Sequence, residues 1–445
     1  MNFLSKEKGS VNLAVLIVVA IVIICLLVYG IILVNSNQVT NTNIATGNQE
    51  GNPEEIVEKE PDEPIEKIDY NSDDFSYEFL KLESDLKKDE NIIYSPLSIK
   101  YGLNLLLEGA EGDTKKEIKN ILGDAKLTKY KNINKVLSFA NGVYIKNDYK
   151  DGILDSYTDV LKDNYDAEVM YDNFESAKNI NKWVSNKTFG VINNFFKDKD
   201  IAGNQNLVMI LLNALAIDMK WEADFETDDT NLGIFDKDGN NLEVAFMKKE
   251  NVYEDSISYK VDEDVTVLAM DLKEYGGVTL EFDAIMPNEE TLSDFISNID
   301  NKKIDNYLSD LTNASSVEGD VNIRIPKFDF DYSISLKNEL KAMGMEKAFD
   351  YSADFSKITG DTSLFVSEAL HKADIKFSEE GIRAAAVTAF EMAFKSARPS
   401  DEIININIDK PFMFVIRDKE NGEVWFVGSV YNPVLWDDVK AEYGR

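Results

Sequence analysis

The chain contains one histidine, His371, one cysteine, Cys25, and 81 acidic residues against 47 basic ones. These counts limit what its side chains can do. A zinc site built from several imidazoles or thiolates cannot be assembled. A Ser-His-Asp triad would have to use His371, which sits in SEALHKADIKF, a stretch that reads as a strand, and no nucleophile-elbow motif is present. No glycine-rich phosphate loop is found. DKDGNNLE, Asp236 to Glu243, approaches a calcium loop, but its glycine arrives too early and its last glutamate is too close. The longer IFDKDGNNLEVAFM reads instead as two strands joined by a turn. Carboxylates are so abundant that no pair stands out for acid–base work. The residue types do not favour an enzyme, and no metal or cofactor is expected.

The stretch that does stand out is EEGIRAAAVTAFEMAFKS, residues 379–396. Consecutive alanines are good helix formers. The same residues also alternate. Ile382, Ala384, Ala386, Thr388, Phe390, Met392 and Phe394 form one set, nearly all apolar. Arg383, Ala385, Val387, Ala389, Glu391, Ala393 and Lys395 form the other and carry the charges. That is the period-two pattern of a half-buried strand. Local pattern leaves helix and strand both open.

The formal net charge of −34 argues against nucleic acid, whose phosphates would be repelled. It favours solubility and could steer a basic partner. Leu13 to Val34 is uncharged and as long as a bilayer core requires. Lys6 and Lys8 precede it, and the next basic residue is Lys59. The positive-inside rule then places residues 1–10 in the cytoplasm, a single-pass signal anchor over 11–34, and the remainder outside the cell. A long cleaved signal peptide is the alternative. Cys25 lies within the span, so the exported part can form no disulfide. Residues 35–70 are polar, acidic and proline-bearing, which reads as a linker. A folded domain is expected over 71–436, with a short tail at 437–445.

Several segments supply the framework. In NIIYSPLSIKYGLNLLLEGAEGDTKKEI, from Asn91, Ser95 can cap a helix, Pro96 fits its first turn, and Ile99, Leu103 and Leu106 form an apolar stripe. LVMILLNALAIDMKWEADF reads as a buried strand ending near Trp221. VNIRIPKFDFDYSISLKNELKAMGMEKAFD reads as a strand followed by a helix. IININI precedes KPFMFVIRDKENGEVWFVGSVYNP, a strand hairpin turning at Glu420-Asn421-Gly422.

Taken together and in this order, these motifs resemble the serpin family, from about Asp74 to Pro433. The resemblance implies an α+β serpin fold with about three β-sheets, a large central one among them, eight to nine helices and an exposed reactive-centre loop. It identifies 379–396 as that loop. It implies a monomeric inhibitor that is consumed by its target and turns nothing over. A serine protease attacks the loop and forms an acyl-enzyme, and the cut loop then inserts into the main sheet and traps it. Counting from Gly381 places the scissile bond at Lys395-Ser396, which implies a trypsin-like target; Phe394 would instead suit a chymotrypsin-like one. The loop hinge would be Glu379, Glu380, Gly381, Ile382, Arg383, Ala384, Ala385 and Ala386. Ser95, Ser98, Asn213 and His371 match the family's shutter beneath the sheet opening. Trp221 and Lys327 match its breach at the top, where Lys327 would pair with Glu379. Ile382, Arg383 and Val387 depart from the usual inhibitory hinge. Ile382 would be the first side chain buried by insertion, and Arg383 should face outward. A non-inhibitory serpin, serving as a surface binding or carrier module, is the alternative. The asparagine-, lysine- and isoleucine-rich composition and the lack of disulfides point to a prokaryotic member.

Overall fold

The structure is a computed structural model that describes residues 66–124, 126–202, 204, 207–361, 364–383 and 403–444. The expected anchor, the linker up to residue 65, and Ala384, Ala385, Ala386, Val387, Phe394, Lys395 and Ser396 lie outside the described residues. Among the described residues no helix is long and apolar enough to cross a membrane.

The main sheet is built from β1 (Leu137–Lys146), β2 (Glu168–Asp172), β3 (Met209–Ile217), β4 (Met219–Lys220), β5 (Phe328–Ser335), β6 (Glu368–Ser378) and β7 (Gly381–Ile382). β3 reads MILLNALAI because both its faces are covered. Ile210, Leu212 and Ala214 pack toward Ile180 and Val184 of the helix Lys178–Lys187. Met209, Leu211, Leu215 and Ile217 join the two larger cores on the other face. Beneath that face runs α1 (Pro96–Gly109), capped by Ser95 as expected: its hydroxyl oxygen accepts from the Ser98 amide at 3.1 Å. Ile99, Leu103 and Leu106 of α1 are all buried. On β6 burial alternates from Glu368 to Phe377, with Ala369, His371, Ala373, Ile375 and Phe377 pointing inward.

On one side β6 pairs with the whole length of β5, through Leu370–Phe377. On the other it meets β3 in parallel only at Glu368–His371, opposite Ile210–Asn213. At the far end β7 fills the gap, with Ile382 opposite Phe377 and Met219, and Gly381 opposite Ser378 and Lys220. The sheet is therefore joined by four rungs at one end and by a two-residue strand at the other.

Two further sheets complete the fold, a seven-stranded one containing Phe412–Asp418 and Val424–Val430, and a four-stranded one containing Asp320–Pro326. The hairpin over Ile234 to Met247 forms as expected, turning at Asp238-Gly239. The segment expected as one strand before a helix is two strands. Asp320–Pro326 belongs to the four-stranded sheet and Phe328–Ser335 to the main sheet. Pro326 cannot donate to a ladder, and Lys327 becomes the corner between the sheets. Eleven α-helices are described; the surplus over eight to nine consists of short pieces such as Asp198–Ile201.

Gly381 has φ +153°, a conformation that residues with side chains rarely adopt, and an added Cβ would lie 2.7 Å from Lys220 Cα and closer still to the Met219 carbonyl oxygen. Gly381→Ala should therefore unseat β7. By amide exchange, Arg383 should lose about tenfold or more in protection, since overpacking costs about 1–3 kcal/mol. Unchanged protection would show that β7 does not need the bare α-carbon.

Candidate functional site: the loop base and the sheet seam

The hinge begins with the tight turn Glu379-Glu380 between β6 and β7. The Trp221 amide donates to the Glu380 carbonyl at 3.1 Å, and the Phe225 amide to that of Glu379 at 3.0 Å. Trp221 also donates through its indole Nε1 to the Ser378 carbonyl at 2.8 Å. Its ring packs on Phe377 and Phe282, at centroid distances of 5.1 and 6.0 Å. Phe328 stacks on Phe377 at 4.6 Å. This aromatic block joins the main sheet to the seven-stranded one directly beneath the hinge. Trp221 and Lys327 thus both stand beside the Glu379-Glu380 turn.

The Glu379 carboxylate is buried, with 6% of its residue surface exposed. Lys327 Nζ lies 2.8 Å from its Oε2 and 3.1 Å from its Oε1. Thr230 Oγ1 donates to Oε1 at 2.8 Å and the Tyr443 hydroxyl at 2.6 Å. Burial alone pushes this carboxyl up. The hydrogen bonds from Lys327 and Tyr443 and the lysine's charge outweigh it and hold the group below the ordinary glutamate range. With its folded pKa depressed, the group contributes stability above its unfolded pKa and loses it as pH falls through the folded value. Thr230 and Tyr443 were not foreseen. They arrive from distant segments with no local signature.

Ile382 is already buried, at 1% exposure. The apolar departure at this position thus matches a side chain that is seated from the outset. Arg383 lies on the outward face, as expected, beside Asp374, which alternates with the inward Ala373 and Ile375. The Arg383 side chain is 25% exposed and its guanidinium pairs with Asp374 on β6. Its amide donates to the Lys376 carbonyl at 2.6 Å, and its φ of +52° turns the chain out of the ladder.

At the four-rung end, His371 and Asn213 face each other on the last rung. The Ser95 amide donates to His371 Nε2 at 2.9 Å, joining the helix cap to the seam. Asn213 Nδ2 donates to Asn141 Oδ1 on β1. Ser98 Oγ, Asn213 Oδ1 and His371 Nδ1 are buried without a hydrogen-bond partner among the described residues. The adjoining cavity, between Leu103, Leu340, Asn213 and His371, is only about 10 Å³, room for a single water. The four shutter residues are therefore brought together, with Asn141 as an unforeseen fifth. Burial lowers the His371 pKa to about 3, so the ring is neutral.

A family model described as "Serpin (serine protease inhibitor)" matches residues 70–433. The chain belongs to the serpin family, whose members are mostly protease inhibitors rather than enzymes. It is 30% identical over 368 residues to "Intracellular coagulation inhibitor 2" of Tachypleus tridentatus, covering 78% of this chain and 86% of that protein. The native state of the thermophilic serpin tengpin superposes with a TM-score of 0.68 at 26% identity, covering 83% of this chain and 96% of that one. Human thyroxine-binding globulin in complex with thyroxine shares the fold, with a TM-score of 0.68 at 24% identity over 82% of this chain and 97% of that one.

Lys327→Met would leave a buried carboxylate without its counter-ion, a change that costs about 3–5 kcal/mol. Urea unfolding at pH 7 should show that loss and its partial recovery in Lys327→Met/Glu379→Gln; a loss under about 1 kcal/mol would mean Thr230 and Tyr443 suffice. The His371 ring, neutral in the fold, takes up a proton on unfolding below its unfolded pKa. Stability should therefore fall from about pH 6.5 toward pH 3, by about 1.4 kcal/mol per unit. His371→Gln should flatten this slope in urea midpoints at pH 6.5 and 4.5, and equal slopes would remove the histidine as its cause.

Proposed function

We propose that this serpin is a suicide-substrate inhibitor of a trypsin-like serine protease. Lys395-Ser396 is the bond it offers. The protease acylates itself on Lys395, the cut loop inserts between β3 and β6, and the tethered enzyme is carried along before water can release it. The observation that carries this reading is the seam. β7 already occupies the first position of an inserted strand, with Ile382 buried and Gly381 fitted against β4. Below it, the facing stretches Ala214–Asp218 and Lys372–Ile375 form no ladder with each other among the described residues. Arg383 is compatible with this path because Asp374 neutralises its charge. Trypsin-like specificity rests on Lys395, since a cation before the cut suits a specificity pocket holding a carboxylate. We further read residues 11–34 as a signal anchor that holds the domain outside the membrane, on the strength of the uncharged span and the lysines before it.

Residues 71–445 incubated with trypsin should give a band that survives denaturant at the summed mass, with release of a fragment beginning at Ser396. Cleavage without such a band, together with no rise in the melting temperature of the cleaved protein, would overturn inhibition and favour a non-inhibitory binding or carrier role.

A further inference from the structure

Residues 434–444 run past the part of the chain matched by the family and return to the loop base. The Val434 amide donates to the Lys327 carbonyl at 2.9 Å, and the Val434 carbonyl accepts from the Ala245 amide at 3.0 Å. Leu435 bridges to Val244. The short helix α2 (Trp436–Val439) and the turn Lys440–Tyr443 then fold back, so that Tyr443 stacks on Trp436 with centroids 5.7 Å apart and planes 11° apart. The stack directs the Tyr443 hydroxyl onto Glu379 Oε1 at 2.6 Å and against Lys327 Nζ. The segment thus engages Lys327 twice, at its backbone carbonyl and at its ammonium group.

We propose that residues 434–444 are a brace that keeps the loop base seated in the main sheet, with Tyr443 as the positioning residue. Glu379 opens the turn that places Gly381 and Ile382 between β4 and β6. A hydroxyl donating to a buried carboxylate makes a charge-assisted bond, stronger than a neutral one. It holds the turn by its side chain, while Trp221 and Phe225 hold its backbone. Extending the inhibitory reading, on which it rests for its consequence, the brace keeps the loop poised at the first step of insertion, so that a cut loop partitions toward trapping rather than release.

The test uses Tyr443→Phe, which keeps the ring stacked on Trp436 and removes only the hydroxyl, and a chain ending at Val439, which removes the ring as well. Amide exchange is read at Arg383, whose amide bond to Lys376 depends on the seated hinge, and at Phe414 in the buried seven-stranded sheet as a control. Both variants should lose about tenfold in protection at Arg383, the effect of one charge-assisted hydrogen bond, with Phe414 unchanged. Both should also raise the number of inhibitor molecules consumed per trypsin trapped. Unchanged Arg383 exchange in Tyr443→Phe overturns the brace, whatever trypsin does. Raised exchange supports it even if the native chain traps no protease, a result that would overturn the inhibitory reading alone. Raised exchange with unaltered partitioning would keep the brace and remove its link to trapping.

Discussion

The fold turns on a seam that is closed at its two ends. Backbone hydrogen bonds between β3 and β6 exist at four rungs, and parallel rungs are slightly weaker than antiparallel ones. The opposite end is held by two residues of the loop itself. A sheet with every strand paired along its length would have no reason to part. This one keeps β5 fully paired to β6 and leaves the join to β3 short. The helices, the aromatic block and the flanking sheets all hold the two sides of that seam in place.

The two ends are secured by different physics. Under the hinge, Trp221, Phe282, Phe328 and Phe377 supply apolar area and ring packing. Beneath the four rungs the groups are polar and incompletely satisfied. Each buried polar atom left unpaired costs about 1–3 kcal/mol, and three such atoms lie around His371 and Asn213. The four rungs are thus laid over polar groups that are not all satisfied.

Much of this was legible where chemistry is local. Ser95 and Pro96 marked the start of α1, the turn residues marked both hairpins, and the apolar run of β3, broken only by Asn213, marked a buried strand. SEALHKADIKF was legible as a strand carrying His371. Other features depend on contacts the chain makes with itself at a distance. The corner at Lys327 was hidden because both flanking strands alternate alike and Pro326 alone hinted at a break. Arg383 was expected to face outward, which an alternating pattern implies, and it does; its positive φ and its ion pair with Asp374 are what the pattern could not announce. Nothing around Thr230 or Tyr443 in the sequence announces that each donates to Glu379. The helix-or-strand ambiguity of the alanine-rich stretch is settled as strand only at Gly381-Ile382; the remainder lies outside the described residues.

The carboxylate of Glu379 gathers donors from Thr230, Lys327 and Tyr443, three stretches far apart in the chain. During synthesis these stretches emerge one after another, and Tyr443 comes after everything it touches. Both large sheets can therefore assemble while the carboxylate still lacks its last partner, because contacts between distant segments close late. The nascent protein would pass through an interval in which its loop base is less firmly held than in the finished molecule. In that interval an edge of the main sheet is most open to a strand from a neighbouring chain.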